Sequence, residues 1–512
     1  MRVIQRATDL KATDRASVEA GIPFLLLMEA AGRAVAEAVH REAPAARVVV
    51  LAGRGANGGD GLVAARWLRH WGHDVLALST AQDDDGSASP GGPGAPPEVW
   101  TAMHAFNLRP QAATVQAFLQ ALQGADVVLD ALYGAGFRPP LSGSDAALLA
   151  TLNLERSQRP SLQVWSVDLP SGLAADRAAV SGEAVRADRT VALTSLKPAH
   201  LFAPASDCCG VVEVGSAGVP EDLVRERFCA LLAEAADIAT LLPVRSRGAH
   251  KGTAGRVVVA GGIPRYPGAP ALAALGALRA GAGLVTVASP PGAGLAAPVE
   301  ATRHEVPAWT VAAVEDLVSL QPDAVAAGMG MGPVDDETLA ALARLDARLV
   351  LDADALQPSL AGLLGGREAV LTPHPGEAAR LLGGSTGEVV ADPLGAATAL
   401  AERFGAVVVL KGGPSVVAAP GELPWVNPTG NPGMASGGSG DVLSGVIAAL
   451  MAGGLGPWDA ARAGVYMHGL AGDLAAARHG YGLVASDLAE QLGAAWLGLR
   501  GEAAGGQPRG PL

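Results

Sequence analysis

A chain of 512 residues exceeds one ordinary core, and 49% hydrophobic against 17% charged residues excludes wholesale disorder. The 67 glycines and 36 prolines follow no Gly-X-Y period, so they point to glycine-rich loops in α/β folds and not to collagen. A net charge of -13 argues against nucleic-acid binding, and three cysteines, Cys208, Cys209 and Cys229, suit neither a disulfide framework nor a zinc site. The N-terminus mixes both charge signs without a hydrophobic core, and no apolar run approaches the ~20 residues that span a bilayer. A soluble, cytoplasmic protein without membrane or nucleic-acid partners is expected.

Taken in chain order, Leu26 to Val39 reads as an amphipathic helix, Arg47 to Gly53 as a buried strand, Gly61 to Gly72 as a helix and Asp74 to Ser79 as a strand. Low-complexity residues 83–97 suggest a surface loop. Further strands are expected at 126–134, 162–170 and 189–195. This βαβ rhythm implies a parallel, Rossmann-like doubly wound sheet, with ligands beyond the C-terminal strand ends. The rhythm pauses over 221–244, a mostly helical connector between residues 1–220 and 245–500. It restarts with the strand 256–262, a small-residue helix and a strand LVTVAS, then strands near 323–330, 348–354, 369–373 and 406–413. Helices are expected at 441–454 and 460–480, and a frayed tail at 501–512.

In the first half GRGANGGDG (Gly53 to Gly61) joins strand to helix, where amides can converge on phosphate and closely spaced glycines permit positive φ and close approach. It is neither a Walker loop nor a dinucleotide fingerprint, and a tight strand–helix turn would also explain it. Asn57 and Asp60 within it are unusual for a merely structural turn. Asp130 and Asp168 end two strands, and each would serve simply as a helix cap. Three strand ends facing one crevice would bring together Asn57, Asp130 and Ser171, hard oxygen donors suited to an alkali or alkaline-earth cation.

LMEAAG, GRGANGGDG, VLDALYGAG and VDLPSG, in this order, resemble the NAD(P)H-hydrate epimerase family over about residues 1–220. The family's glycine loop carries an Asn where this chain has Ala56. The resemblance implies potassium near Asn57, Asp130 and Ser171. It implies hydrated nicotinamide nucleotide held by Ala56, Asn57, Gly58, Gly59 and Asp60, and by the loop Gly134, Ala135, Gly136, Phe137, Arg138, Pro139 and Pro140. Asp168 would contact it too, as the acid/base group.

In the second half NPGMASGGSGDVLSGV (Asn431 to Val446) is the sharpest signal. Gly437, Gly438 and Gly440 lead into a helix whose first amides would form an anion hole, with Asp441 at its start. An N-cap role for Asp441 is the bland alternative. Anion hole plus carboxylate suits phosphoryl transfer to a hydroxyl. Lys411 follows a buried strand, His374 sits between two prolines, and GMGMGP offers another close approach. Asp352 and Asp354 would position magnesium or water, or cap.

HKGTAGRVVVAGG, GMGMGP, LDADAL, LTPHPGE, LKGGPS and NPGMASGGSGDVLSG together resemble the ADP- or ATP-dependent NAD(P)H-hydrate dehydratase family, with a ribokinase-like fold, over about residues 245–495. The resemblance implies adenine nucleotide at Lys411, Gly412, Gly413, Pro414, Ser415 and Gly440, with magnesium. Ala269, Gly332, His374 and Asp441 would contact the hydrate, Asp441 as catalytic base. Likeness to fused bacterial forms favours ADP, and a homo-oligomer is expected. Two alternatives stay open: a ribokinase-like small-molecule kinase, and an N-terminal half that is a non-catalytic ligand- or RNA-binding module.

Overall fold

The computed structural model describes residues 2–81 and 94–503. The chain divides into two compact units, Val3–Cys229 and Ala230–Leu512. Stretch 221–244 is shared out between them and is not a free connector. Glu221–Arg225 is a helix of the first unit, while Ala230–Leu232 is a strand of the second, parallel to Trp425–Asn427. Three apolar residues carry too little periodicity to announce such a strand. Residues 83–93 of the expected loop and 504–512 of the expected tail lie outside the described residues, and 501–503 end the helix Ala485–Ala503. Among the described residues no helix is long and apolar enough to cross a membrane.

In the first unit the strands lie in the order Gln111–Ala112, Asp74–Ser79, Arg47–Ala52, Val127–Ala131, Gln163–Val167, Arg189–Leu193 and Val211–Gly215, every pairing parallel. The run Val48-Val49-Val50-Leu51 has no polar face because both sides of the sheet are covered. Val48, Val50 and Ala52 pack with Met28, Val35, Leu62 and Leu68 of the helices Phe24–Glu42 and Ala56–His70. Val49 and Leu51 pack with Phe118, Leu122, Leu148 and Leu152 of Val115–Leu122 and Gly143–Gln158. Each fully buried Val or Leu contributes roughly 1.5–3 kcal/mol.

One expectation about the glycine loop is corrected. The helix begins at Ala56, inside the motif, and no glycine from 53 to 61 has positive φ. What the glycines provide is proximity: a methyl on Gly58 would lie 1.9 Å from the Gly53 carbonyl oxygen.

The second unit orders its strands Ala230–Leu232, Trp425–Asn427, Ser415–Ala418, Val407–Leu410, Ala369–Leu371, Arg348–Leu351, Ala324–Ala327, Arg256–Ala260, Leu284–Ser289 and Thr302–Glu305. Pairing is parallel except where Ser415–Ala418 runs against both its neighbours. Val257, Val259, Val350 and Val409 share one core with the helices Gly268–Arg279, Ser439–Ala452, Pro457–His479 and Ala485–Ala503. The first two of these helices touch backbone to backbone: a methyl on Gly445 would stand 1.9 Å from the Ala273 carbonyl oxygen. That contact fixes where the helix Ser439–Ala452 begins. Gly445→Ala should therefore destabilise this unit by about 1–3 kcal/mol in chemical denaturation; unchanged stability would show the two helices to be farther apart.

Candidate active sites

The first unit holds a cavity of about 720 Å³ beyond the strand ends, lined by Ala56, Asn57, Asp60, the loop 132–138 and Asp168 among others. Asp168 sits at φ +62, just past the strand Gln163–Val167, and is buried. Its carboxylate is ion-paired with the fully buried Lys197 and accepts N–H bonds from Leu193 (3.1 Å) and Ala135 (3.1 Å). Lys197 also donates to the Leu193 (2.8 Å) and Ser195 (2.9 Å) carbonyls, so the ammonium is fixed. Burial alone would raise the Asp168 pKa, but the charge and hydrogen bond of Lys197 hold it below the usual carboxylate value. His200 is kept neutral, its pKa driven to about 4 by burial and then by Lys197. It accepts from the Lys197 N–H at Nδ1 (3.0 Å) and meets the Asp168 carbonyl at Nε2 (2.8 Å).

Gly134 is where the glycine-loop helix and Asp168 converge. A methyl there would lie 2.8 Å from Asn57 Oδ1 and 3.1 Å from Asp168 Oδ2. Ala135, Gly136, Phe137 and Arg138 continue the cavity wall, whereas Pro139 and Pro140 are not part of its lining. Asp130 and Ser171 also stand behind the wall, so the expected crevice of three strand ends is corrected: of the three candidate cation ligands only Asn57 lines the cavity. Asp130 is fully buried and accepts from Ser171 N (2.8 Å), Ser171 Oγ (2.5 Å), Ser166 Oγ (2.9 Å) and Leu132 N (3.3 Å). Burial raises its pKa, against these hydrogen bonds. Among the described residues no cation pairs with it, and the buried Asn57 Nδ2 has no partner. An oxygen-only donor set beside an uncompensated carboxylate fits a hard monovalent cation.

In the second unit the helix Ser439–Ala452 is entered through Gly438 at φ +95, packed on Leu272. Gly438 is the cap, which excludes Asp441 from that role and places it in the first turn. There the amides have no intrahelical acceptor and favour an anion. Lys411, just past the strand Val407–Leu410, pairs with the buried Asp352 at 2.7 Å and approaches Glu377 at 3.9 Å. Ser444 Oγ donates to the second Asp352 oxygen (2.8 Å). A methyl on Gly440 would stand 3.3 Å from Lys411 Nζ, so Lys411, Gly440 and Asp441 share one corner. Burial and then the charge of Asp352 lift the Asp441 pKa to about 7, against the pull of Lys411. Burial would lower the Lys411 pKa, but Asp352 and Glu377 raise it, and it stays an ammonium.

The other expected residues have local partners. His374 is exposed and caps the helix Pro375–Leu382, its Nδ1 accepting from Gly376 N at 3.0 Å, with Glu377 returning a bond to His374 N at 2.7 Å. Ser415 closes the turn 412–415 by accepting from Gly412 N (3.2 Å). Ala269 begins the helix that packs on Ser439–Ala452, and a methyl on Gly330 would lie 3.2 Å from its Cβ. Asp354 accepts from Gly332 N at 2.8 Å, and Asp352 from Ala353 N at 2.8 Å. Asp352 thus has both oxygens bonded, by Lys411, Ala353 and Ser444, and Asp354 one. Lys197, His200, Glu377 and Ser444 were not expected from sequence; only the strand-end position of Lys197 in SLKPAH hinted at one of them.

These are two strand-end sites in two α/β units, each with a buried lysine–aspartate pair and glycine-lined approaches, as befits a nucleotide-handling enzyme. Two family models match, that of the YjeF-related protein N-terminus over residues 25–199 and that of NAD(P)H-hydrate dehydratase over 257–493. The bifunctional NAD(P)H-hydrate repair enzyme Nnr of Moorella thermoacetica is 37% identical, with 95% of each chain covered. Its counterpart in Escherichia coli is 35% identical over 94% of this chain and 92% of that one. A solved structure of ADP/ATP-dependent NAD(P)H-hydrate dehydratase from Bacillus subtilis is 30% identical, covering 52% of this chain and 98% of that one, at a TM-score of 0.47. The chain belongs to the family of bifunctional NAD(P)H-hydrate repair enzymes.

Removing one member of a buried pair strands the other. Lys197→Met should cost the first unit about 3–5 kcal/mol in chemical denaturation, because it leaves Asp168 buried and unpaired. A loss near zero would mean that the ammonium contributes nothing to holding this carboxylate.

Proposed function

We propose that the chain repairs hydrated NADH and NADPH in two steps: the first unit interconverts the R and S epimers, and the second dehydrates the S epimer at the expense of ADP or ATP. Asp441 carries this reading. It is a carboxylate with a pKa of about 7, in the first turn of a glycine-entered helix and beside a lysine committed to another aspartate.

In the second unit Asp441 takes the proton of the ring hydroxyl as that oxygen attacks the terminal phosphorus of the nucleotide. The first-turn amides of Ser439–Ala452 and the ammonium of Lys411 receive charge developing on the phosphoryl oxygens. Residues 411–415 and Gly440 hold the nucleotide, while Ala269, Gly332 and His374 face the hydrate. Phosphate then departs with the C–O bond electrons, a ring proton is lost from the adjacent carbon, and the double bond of the dihydropyridine returns. Phosphate is a far better leaving group than hydroxide, which accounts for the nucleotide consumed. Magnesium accompanies the nucleotide phosphates as part of the co-substrate.

In the first unit Asp168, held ionised by Lys197 and two amides, is the acid/base group that takes and returns a proton as the hydrated carbon is inverted. Residues 56–60 and 134–140 hold the nucleotide. Asn57, Asp130 and Ser171 would hold potassium, whose charge would offset that of buried Asp130.

A mixture of hydrate epimers with magnesium and each nucleotide tests the whole: absorbance of the reduced ring should return almost completely. No return with either nucleotide would refute the dehydratase reading, and a stable phosphorylated product would make this unit a kinase. Asp441→Asn should slow dehydration at least about 100-fold and leave epimer exchange intact, with Asp168→Asn doing the reverse. Loss of both activities in either variant would contradict separate sites. Because the base must be ionised, dehydration should rise as pH passes upward through about 7 and then level off; a flat profile across neutrality would remove Asp441 as the base.

A further inference from the structure

The helix Ala7–Glu19 precedes the matched stretch 25–199 and contains none of the motifs above. Ala7, Leu10, Lys11 and Asp14 nevertheless line the cavity of the first unit. Those positions recur on successive turns of one helix face, so the helix forms a wall with a single stripe. Two of the four are charged, and among the described residues neither Lys11 nor Asp14 has a hydrogen bond or an ion pair. Lys11 leans over the opposite loop: its Nζ is 3.8 Å from where a methyl on Gly136 would sit. Two further carboxyl groups line the same cavity: Asp60, only 8% exposed, whose pKa burial and then Asp168 raise well above the usual carboxylate value, and Asp168, already paired to Lys197.

Neither residue offers a partner to the phosphate of an anionic nucleotide, whereas a neutral ring needs none. Arg54 and Arg138 also line the cavity, from the loops that follow two strands, so cations meet the ligand from more than one wall. On the helical wall the unengaged ammonium is Lys11, and a carboxylate that stays unpartnered in a half-buried place calls for a donor from the ligand. Cβ atoms three residues apart on a helix are about 5–6 Å apart, a spacing that suits a sugar hydroxyl and the phosphate on the same sugar. The Asp14 pKa, raised to about 6 by burial and then by Asp168, against Lys197, fits a group awaiting such a donor.

We propose that Lys11 and Asp14 grip the ribosyl phosphate of the hydrated nucleotide, Lys11 binding the phosphate and Asp14 accepting from a ribose hydroxyl. This rests on the cavity being the epimerase site. The N-terminal helix then sets the distance between phosphate and reactive ring and delivers the hydrated carbon to Asp168.

Epimer exchange by the full-length chain tests this, with NADH hydrate and with the phosphate-free hydrate of reduced nicotinamide riboside as substrates. For NADH hydrate, Lys11→Met should raise KM about tenfold or more with kcat kept, and Lys11→Arg should restore most of it. For the riboside hydrate Lys11→Met should change nothing, whereas Asp14→Asn should raise KM for both substrates. Dehydration of the S epimer by the same variants should be unaltered. An unchanged KM for NADH hydrate in Lys11→Met, or an equal loss with the riboside, would overturn the assignment. Absence of epimer exchange in the unsubstituted chain would instead refute the underlying reading of the cavity.

Discussion

A lysine buried against an aspartate beyond the end of a parallel strand is the constraint on which both sites depend. Lys197 with Asp168 is withdrawn from water, whereas Lys411 is half-buried against the buried Asp352; each pair is held by close approach and further hydrogen bonds. Neither lysine is free to move. The carboxylates beside them end in opposite states. Lys197 spends its charge on Asp168 itself, which stays ionised below its ordinary pKa. Lys411 pairs with Asp352 instead, and Asp441 is raised to about 7 by burial first and then by the charge of Asp352, against the pull of Lys411. The two units thus hold one carboxylate below its ordinary pKa and one raised to neutrality.

Backbone proximity holds this electrostatic arrangement in place. Gly445 against Ala273 and Gly438 against Leu272 fix the start of the Asp441 helix, and Gly58 against Gly53 does so for the helix bearing Asn57 and Asp60. A side chain at Gly445 or Gly438 would push two packed helices apart, and one at Gly58 would push its helix away from the end of the strand before it. Small residues fill these joints, in keeping with a chain in which aromatics are only 4%.

Much of this was legible in the sequence where burial is uniform. Valine-rich runs such as 47–52 and 256–260 read as strands because both faces are covered, and NPGMASGGSGDVLSG announced an anion-receptive helix start. Three-residue strands such as Trp425–Asn427 were not legible, since they exist only through pairing with distant partners. The glycines of 53–61 read as a loop because their role, close approach within a helix, leaves no periodic trace. Lys197, His200 and Ser444 were invisible for a related reason: their partners Asp168 and Asp352 lie 29 to 92 residues away. Asp130 read as a strand end facing a crevice with Asn57 and Ser171, yet it lies inside its strand with both oxygens bonded.

The central claim is that Asp441, beside the first-turn amides, makes the ring hydroxyl a nucleophile toward phosphorus, so that the same oxygen leaves with the phosphate. The most direct measurement follows a heavy-oxygen label placed in the ring hydroxyl of the S hydrate through one turnover with ADP or ATP and magnesium. The label should appear in the inorganic phosphate released. Label recovered in water would mean that hydroxide left unaided, and would contradict the account.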